Sequence, residues 1–253
     1  NGTEDPSLLV ILGKAIATEF AMEGVPLFLT DRDIGKLEYL EGQISGLYDI
    51  NIKVFAADLE LASERQSLLE FLISDPFSLK ALINNAAFVG DTAIDGWNAD
   101  FQDQSIETWR RALEVNLTAP FHMAKLFAPF IEPGGSIVNI GSIYAHHGPD
   151  SSMYVDTGLS NPAAYGVAKA GLLQLTRWLA AILGPRIRVN SVSPGGIERG
   201  QTQVFVERYK KKTLMNRMAT EKDVASLIVY LCSEKASYIT AQDLRVDGGW
   251  GIS

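Results

Sequence analysis

Short apolar runs alternate with longer segments of helical period between Pro26 and Ile140, and this alternation constrains the fold more than any other feature of the sequence. A strand buried on both faces of a sheet is apolar at nearly every position, whereas a surrounding helix repeats its apolar residues every three or four positions. We therefore predict a three-layer α/β fold with a doubly wound parallel sheet of about seven strands. Besides an apolar run at 8–11, the predicted strands are residues 27–30, 52–56, 81–83, 136–140, 187–191 and 244–246.

The clearest helical periodicity lies in residues 13–23, 106–127, 161–183 and 220–232. Two long segments lack it, one at 143–160 and one from 195 to about 203, and both follow predicted strands. Long loops at the carboxyl ends of parallel strands usually carry function, so we predict substrate loops at about 143–160 and 195–216. A chain of 253 residues can close one large core, and no linker interrupts it, so we predict a single catalytic domain over residues 1–253.

The charge balance argues against nucleic acid and anionic membranes as partners. The formal net charge is −8 and the pI is near 5.0, and the basic triplet Lys210-Lys211-Lys212 is expected on a solvated helix face. The apolar run at 8–12 is too short to span a bilayer, and no basic leader precedes it. The single cysteine, Cys232, suits a reducing compartment. We therefore predict a cytoplasmic protein that acts on a small molecule.

Tyr165 and Lys169 lie four residues apart on a predicted helix, so their side chains share one face. An ammonium about 4 Å from a phenol contributes roughly 4 kcal/mol at an effective dielectric constant of 20, which lowers the phenol's pKa by about three units. A tyrosine with such a pKa is a suitable general acid or base near neutral pH. Taken alone, the spacing favours an ordinary helical pair, so the assignment needs further support.

Ser142 ends the apolar segment 135–142, where a buried strand runs directly into a glycine and a serine. This position places a hydroxyl at the carboxyl edge of the sheet, where it can donate a hydrogen bond to a substrate carbonyl. A serine there can equally satisfy the backbone of the turn that follows.

Several motifs in fixed order resemble the short-chain dehydrogenase/reductase family, whose members have a Rossmann fold. The resemblance extends from about Gly13 to Gly249. The matching motifs are Asn84-Asn85-Ala86-Ala87, Asn116 in V-N-L-T, Ser142, Tyr165 and Lys169 in Y-x-x-x-K, Pro194-Gly195, and Val246-Asp247-Gly248-Gly249. Chance agreement of so many motifs in this order is improbable. The resemblance implies an enzyme that interconverts a carbonyl and a secondary alcohol with NAD or NADP.

The resemblance also implies a role for each catalytic residue. Tyr165 transfers the proton, Lys169 lowers the pKa of Tyr165 and holds the nicotinamide ribose, Ser142 polarises the carbonyl and Asn116 supports a water relay. Tyr154 is the competing tyrosine, since it follows Ser142 at a spacing common in the family. The residue four positions after Tyr154 is a glycine, so no ammonium assists it, and we predict that Tyr165 is the acid/base group.

The cofactor is predicted to contact residues that follow the strands. Asp31 ends the run L-T-D and is expected to accept hydrogen bonds from the adenosine ribose and to repel a 2′-phosphate, which favours NAD. The neighbouring Arg32 could stack on adenine or pair with a 2′-phosphate, so NADP stays an alternative. Asp58 and Leu59 match the pair of residues that contacts adenine in the family, although Asp58 could also simply cap the following helix. The remaining contacts that the resemblance implies are Asn85, Ala86, Tyr165, Lys169, Pro194, Gly195 and Ile197.

The glycine-rich turn of the family, T-G-x-x-x-G-x-G, is matched only at its last position, Gly13. One glycine cannot by itself bring the backbone close to a pyrophosphate. Either loop residues are absent from this sequence or the loop is truly shortened and binding is weak, and the intact flanking patterns favour the first explanation. Two smaller departures are Ala87 for a glycine and Arg199 for a threonine that contacts the nicotinamide carboxamide.

The segment between Ser142 and Tyr165 is unusually long and contains His146 and His147, for which we predict no metal because adjacent histidines point apart and no third ligand is near. A loose resemblance to proteins of acidic-sugar and surface-glycan biosynthesis suggests a polar, sugar-like substrate. The alternatives are a 3-oxoacyl-carrier-protein reductase and a catalytically silent dinucleotide-binding regulatory protein. The family also implies a homotetramer or dimer that packs through the helices at 106–127 and 161–183.

Overall fold

Helices and strands alternate along the chain, and the computed structural model describes residues 11–74, 78–89, 94–158 and 160–252. The six strands predicted within these ranges all form, and most are longer than predicted. In chain order the elements are α1 (Ile11–Met22), β1 (Leu27–Asp31), α2 (Ile34–Ser45), β2 (Ile52–Ala56), α3 (Ala62–Ser74), β3 (Leu79–Asn84), α4 (Ile106–Leu113), a π-helical turn (Glu114–Thr118), α5 (Ala119–Phe127), β4 (Ile131–Ile140), α6 (Ala163–Leu183), β5 (Ile187–Pro194), α7 (Gln203–Lys210), α8 (Glu221–Cys232) and β6 (Asp243–Val246).

The strands pair in parallel in two groups. β1 pairs with β2, and β3, β4, β5 and β6 are hydrogen-bonded in that order. Among the described residues, no strand joins the free edge of β1 to that of β3. The strand predicted at 8–11 lies outside the described residues except for Ile11, which begins α1. Six of the approximately seven predicted strands are thus described.

Helices cover both faces of the sheet, as two consecutive β4 residues show. Val138 packs with α1, α2 and α8 on one face, and Ile137 packs with α3, α5 and α6 on the other. Successive residues of a strand point to opposite faces, so a strand buried on both sides must be apolar throughout. The three-layer αβα arrangement follows.

Two predicted segments differ from the structure. The helix predicted at 106–127 is interrupted by the π-helical turn Glu114–Thr118 between α4 and α5. The second substrate loop contains α7, whose N-cap Thr202 accepts a hydrogen bond from the backbone N–H of Phe205. The short helix buries Phe205, Val206 and Tyr209 against the first substrate loop, which explains why an eight-residue segment is helical here.

Candidate active site

The polar residues singled out from the sequence meet at the carboxyl edge of the sheet. Ser142 directly follows β4, Pro194 ends β5 and Asn85 follows β3, and these three strands are parallel neighbours. Neighbouring parallel strands end at the same edge, so these residues come together although they are far apart in sequence. α6, which carries Tyr165 and Lys169, packs against β5.

Ser142 serves both the turn and the site. Its hydroxyl oxygen accepts a hydrogen bond from the backbone N–H of Tyr144 at 3.2 Å, which caps the turn Ile143–Ala145. The same hydroxyl is hydrogen-bonded to the hydroxyl of Tyr165. The turn interpretation of Ser142 is thus observed, and its hydrogen bond to a substrate carbonyl stays a prediction.

Lys169 is buried, with 2% of its surface exposed, one helical turn after Tyr165. Its Nζ lies 5.8 Å from the centre of the Tyr165 ring and donates a hydrogen bond to the carbonyl oxygen of Ile140 at 2.6 Å. Burial lowers the pKa of Lys169 to about 8. The amine is therefore still mostly protonated at pH 7, and a buried positive charge lies beside Tyr165 on one face of α6.

The pKa of Tyr165 moves in the opposite direction from the prediction. Burial raises it above the ordinary value of 10.0, while the hydrogen bond with Ser142 and the positive charge of Arg199 lower it in part. The expected lowering by Lys169 was wrong for this structure. Its ammonium donates to the carbonyl of Ile140, and burial of the phenol outweighs the groups that lower its pKa. Tyr165 is accordingly protonated at neutral pH.

Asn116 is fully buried in the π-helical turn and fixes the loop after β3. Its Oδ1 accepts from the backbone N–H of Phe88 at 2.7 Å, and its Nδ2 donates to the carbonyl of Phe88 at 3.0 Å. The side chain thus satisfies the backbone of that loop, and the predicted water relay at Asn116 stays a prediction. π-Helical turns are rare and concentrate at functional sites.

Residues at the end of β1 form a second polar group. One carboxylate oxygen of Asp31 accepts from the backbone N–H of Asp33 at 3.1 Å, and the other oxygen makes no hydrogen bond with a described residue. The hydroxyl of Thr30 is buried and has no hydrogen-bond partner among the described residues, and the side chain of Arg32 is exposed. After β2, Asp58 accepts from the backbone N–H of Glu60 at 2.9 Å, a contact within the turn before α3, so it does not cap that helix.

Gly195 and Gly196, which follow β5, lie too close to the side chain of Tyr209 to carry a Cβ atom. Gly195 donates its N–H to the carbonyl of Val246 at 2.9 Å, and a Cβ on it would lie 2.7 Å from the hydroxyl of Tyr209. A Cβ on Gly196 would lie 2.7 Å from the same ring. The motif after β5 is therefore fixed between the closing turn after β6 and α7.

Comparison with known proteins gives a consistent result. A family model described as enoyl-(acyl carrier protein) reductase matches residues 11–251. The chain is 30% identical over 247 residues to the 3-oxoacyl-[acyl-carrier-protein] reductase of Aquifex aeolicus, covering 94% of this chain and 92% of that protein. It is 30% identical over 248 residues to the 7alpha-hydroxysteroid dehydrogenase of Escherichia coli, with 94% and 89% covered.

A solved structure agrees with these relatives. A short-chain dehydrogenase/reductase, glucose/ribitol dehydrogenase, from Brucella melitensis superposes with a TM-score of 0.81 at 28% identity, covering 94% of this chain and 91% of that one. The chain belongs to the short-chain dehydrogenase/reductase family. The predicted family, the doubly wound fold and the activity, an oxidoreductase that interconverts carbonyl and alcohol groups with a nicotinamide dinucleotide, are thereby confirmed.

The described residues of this short-chain dehydrogenase/reductase fit a dinucleotide at two places. The free carboxylate oxygen of Asp31 and the unpartnered hydroxyl of Thr30 suit the hydroxyls of an adenosine ribose, and the ammonium of Lys169 suits those of a second ribose. Gly13 lies in the first turn of α1, and the residues before Ile11 are not described, so its predicted pyrophosphate contact stays a prediction.

The other predicted cofactor contacts of this family member also stay predictions. The side chain of Leu59 packs into the core near α3, and its carbonyl accepts from Arg65 at 2.7 Å. Asn85 donates its N–H to the carbonyl of Ile83, and Ala86 is exposed at the sheet edge. The carbonyl of Ile197 accepts from Gln201 Nε2 at 2.8 Å.

Sequence reasoning missed a pair of phenols beside the site. The hydroxyls of Tyr144 and Tyr154 are hydrogen-bonded to each other, and both are hydrogen-bonded to Asn161. Burial raises the pKa of both phenols. The only sequence signal was that Tyr144 comes two residues after Ser142. Tyr154, the competing tyrosine, is thus engaged in this pair.

The two substrate loops pack against each other over the site. Their shared cluster is Ile143, Met153, Phe205, Val206, Tyr209, Met218 and Trp250. The ring of Trp250 stacks on that of Tyr209 at a centroid distance of 4.5 Å, and Lys212 pairs with Asp150 at 2.9 Å. These contacts hold the two loops together.

Two further features concern metals and membranes. His146 pairs with Asp243 at 2.6 Å, and within the described ranges no three His, Cys, Asp or Glu side chains form a group that could hold a metal. Across the same part of the chain, none of the helices has the length and apolarity needed to span a membrane.

Proposed function

We propose that the chain transfers a hydride between a nicotinamide dinucleotide and a polar, sugar-like carbonyl or secondary alcohol, with Tyr165 as the acid/base group. The observation that carries this proposal is the hydrogen bond between Tyr165 and Ser142 beside the buried ammonium of Lys169. The three groups occupy the edge of the sheet at which α/β folds bind ligands.

Each residue has a defined task in this proposal. A bound dinucleotide supplies or accepts the hydride. Ser142 donates a hydrogen bond to the substrate oxygen, and Tyr165 gives that oxygen a proton in reduction or removes one in oxidation. The N–H groups of Lys169 hold a ribose of the dinucleotide. Asn116 supports the loop after β3, and the backbone of its turn supports a water relay.

The test is turnover of a carbonyl panel by the purified full chain with NADH or NADPH, followed by loss of nicotinamide absorbance. The panel contains ketoses, a steroid ketone and a 3-oxoacyl thioester, and Tyr165→Phe is the control. Reduction of ketoses that is lost in Tyr165→Phe supports the proposal. Dinucleotide binding without turnover of any carbonyl would favour a silent regulatory protein instead.

A second candidate substrate is a 3-oxoacyl group on a carrier protein. It is supported by the 30% identity to the Aquifex aeolicus protein that bears this name. Against it, the rim of the site carries the hydroxyls of Tyr144 and Tyr154 and the amide of Asn161, which suit a hydroxylated substrate better than an acyl chain. The same panel separates the two candidates.

NAD is the proposed cofactor, with NADP as the alternative. The carboxylate of Asp31 at the end of β1 repels a 2′-phosphate, whereas the exposed Arg32 could attract one. Asp31→Asn is expected to shift the ratio of kcat/KM for NADH to that for NADPH towards NADPH by about tenfold. Arg32→Gln is the matched variant and is expected to shift the ratio the other way. A wild type that prefers NADPH would contradict the assignment.

We also propose a homo-oligomer, a tetramer or dimer, formed through the outer faces of α5 and α6. Phe121 and Trp178 are 42% and 51% exposed on these helices, and their ring centroids lie 6.5 Å apart. An apolar patch of this kind is typical of an interface. Light scattering of the purified protein, with Trp178→Asp for comparison, tests the oligomer. One catalytic domain over 1–253 and a cytoplasmic location stay predictions.

A further inference from the structure

The loop that follows β2, residues 57–61, lies beside Asp31, the residue proposed to hold the adenosine ribose. β1 and β2 pair in parallel up to Asp31↔Ala56, and the backbone N–H of Ala57 donates to the carbonyl of Asp31 at 2.9 Å. Neighbouring parallel strands end at the same edge of a sheet, so an adenosine held by Asp31 also lies beside this loop. We call residues 57–61 the adenosine-side loop.

Arg65 joins the adenosine-side loop to the catalytic half of the molecule. The side chain belongs to α3 and is only 2% exposed. Its Nη1 donates to the carbonyl of Leu59 at 2.7 Å, its Nη2 to Oε1 of Glu114 at 2.7 Å and its Nε to Nδ1 of His122 at 3.1 Å. The three acceptors belong to the loop, the π-helical turn and α5, so one buried planar guanidinium fixes three elements relative to one another.

Glu114 is the first residue of the π-helical turn that carries Asn116. Asn116 in turn holds the backbone N–H and carbonyl of Phe88, in the loop after β3. β3 and β4 pair in parallel up to Asn84↔Asn139, so the loop after β3 emerges beside the segment that contains Ser142. A displacement of the adenosine-side loop is therefore passed through Arg65 and the turn to the edge of the catalytic site.

Arg111 on α4 forms a second link between the same two regions. Its guanidinium donates to both carboxylate oxygens of Glu60, at 2.8 and 3.0 Å, and lies 5.3 Å from the centre of the Phe88 ring. The side chain of Arg111 is 43% exposed, so this ion pair is weaker than the buried contacts of Arg65. Arg65 is therefore the residue on which the connection mainly depends.

We propose that Arg65 is a positioning residue that couples the adenosine half of the cofactor site to the catalytic half, so that a bound adenosine fixes the turn that carries Asn116. The inference rests on the proposed function. It means that the adenosine part of the cofactor, which does not react, contributes to kcat as well as to affinity.

His122 makes this connection sensitive to acid. An arginine has no acceptor, so Nδ1 of His122 accepts the hydrogen bond from Arg65 and carries no proton itself. Burial and the positive charges of Arg65 and Lys125 lower the pKa of His122 below the ordinary 6.5, against the opposing charge of Glu114. Protonation of His122 removes the acceptor and places a second cation against Arg65, so the coupling is lost at acid pH.

The test compares NADH with reduced nicotinamide mononucleotide, which lacks the adenosine half, at saturating concentrations and with the carbonyl compound that wild type reduces fastest. Wild type is expected to have a kcat about tenfold or more higher with NADH. Arg65→Met, which keeps the length of the side chain but has no donors, should lower kcat with NADH by about tenfold and leave kcat with the mononucleotide within about threefold. Arg65→Lys, which lacks the planar fork, should lie between wild type and Arg65→Met.

Arg188→Met is the matched control. Arg188 is also buried, near the start of β5, and it donates to the backbone carbonyls of Ile239 and Ser233. Its substitution should lower the Tm but leave the ratio of the two kcat values unchanged. NADH fluorescence gives a readout without turnover: Arg65→Met should weaken the binding of NADH by about tenfold and that of the mononucleotide by less than about threefold.

His122→Asn is a milder variant that does not remove the buried arginine. Its side-chain oxygen keeps an acceptor for Arg65, and it does not titrate. In wild type the ratio of kcat with NADH to kcat with the mononucleotide should fall as the pH is lowered from 7 to about 4.5, and in His122→Asn it should stay constant. An equal fall in both proteins would contradict the coupling.

Two further results would overturn the inference. One is a wild type with the same kcat for both cofactors. The other is an Arg65→Met variant that weakens turnover or binding of both cofactors equally, which is the result expected if Arg65 only stabilises the fold. Turnover by wild type and its loss in Tyr165→Phe test the proposed function separately. If no carbonyl compound is reduced, the proposed function fails, while the fluorescence measurement still decides whether Arg65 acts on the adenosine half.

Discussion

The half of the molecule that carries the catalytic groups is much more deeply buried than the half proposed to hold adenosine. Every residue of β5 and the last six residues of β4 are buried, whereas β1 and β2 are mostly only partly buried. Asn84 donates to Asn139 at 2.8 Å and Asn139 to Thr176 at 2.9 Å, so polar groups inside the catalytic half are paired across β3, β4 and α6. Geometry at Tyr165 is therefore set by the core itself.

The half proposed to hold adenosine is less completely packed and hydrogen-bonded than the catalytic half. Among the described residues, β1 pairs with β2 alone, and the hydroxyl of Thr30 at its end is buried without a partner. The comparison teaches that the adenosine end of the cofactor site is less firmly built into the core than the catalytic end. Substitutions in the catalytic half should change turnover or global stability, and those after β1 should change cofactor choice.

The largest effect expected from this comparison is on packing. Ile137→Ala in β4 removes a side chain that is fully buried and should lower the free energy of unfolding by about 3 to 5 kcal/mol. Ile52→Ala in β2 removes the same side chain from a partly buried position and should cost about half as much or less. Urea unfolding of both variants measures the difference. Equal costs would break the distinction between the two halves.

A smaller and opposite effect is expected at Lys169. Its pKa of about 8 lies below the ordinary 10.5, so its buried charge destabilises the folded state at pH 7 by about 3 kcal/mol. Lys169→Met removes the charge but also a hydrogen bond to Ile140 worth about 1 kcal/mol, so the variant should be about 1 to 3 kcal/mol more stable and inactive. Urea unfolding at pH 7 without dinucleotide is the measurement.

The sign of the pH dependence checks that assignment. The folded protein binds the Lys169 proton more weakly than the unfolded chain does. The loss of folding stability caused by the buried charge is therefore complete below pH 8 and disappears as the pH rises to about 10.5. The stability difference between Lys169→Met and wild type should therefore shrink across this range. A variant that is less stable than wild type at pH 7 would show that the charge is not destabilising.

The pH profile of catalysis should differ between the two directions. Because burial raises the pKa of Tyr165, the phenol is available to protonate a product oxygen at neutral pH, but the phenolate needed for oxidation is scarce. Alcohol oxidation should increase with pH by up to about tenfold per unit above pH 7, whereas carbonyl reduction should stay nearly constant between pH 6 and about 8. Initial rates in both directions give the profile. A maximum for oxidation near pH 6 or 7 would mean that the phenol is acidified in the working enzyme.

The strands and the catalytic residues were predictable because their signals are local. Buried parallel strands are continuous apolar runs, and Tyr165 and Lys169 share a helix face by spacing alone. The π-helical turn was not predictable, since it accompanies hydrogen bonds between Asn116 and Phe88, 28 residues apart in sequence. The pKa of Tyr165 was predicted in the wrong direction because burial and the orientation of Lys169 are properties of the folded chain.

The site residues missed from the sequence have the same origin. Tyr144 and Tyr154 meet only because the first substrate loop folds back on itself. The predicted loop at 195–216 contained α7, whose helical form depends on burying Tyr209 against glycines and Trp250. Each of these features depends on tertiary contacts between residues far apart in the sequence, which a local sequence pattern does not show.

The choice between two tyrosines tests the central claim most directly. We predict that Tyr165→Phe lowers kcat by about 10²- to 10⁴-fold while the protein still binds dinucleotide, as followed by NADH fluorescence. Tyr154→Phe, which removes one hydroxyl of the phenol pair, should retain kcat within about tenfold of wild type. The reverse result, an active Tyr165→Phe and an inactive Tyr154→Phe, would contradict the assignment of the acid/base group.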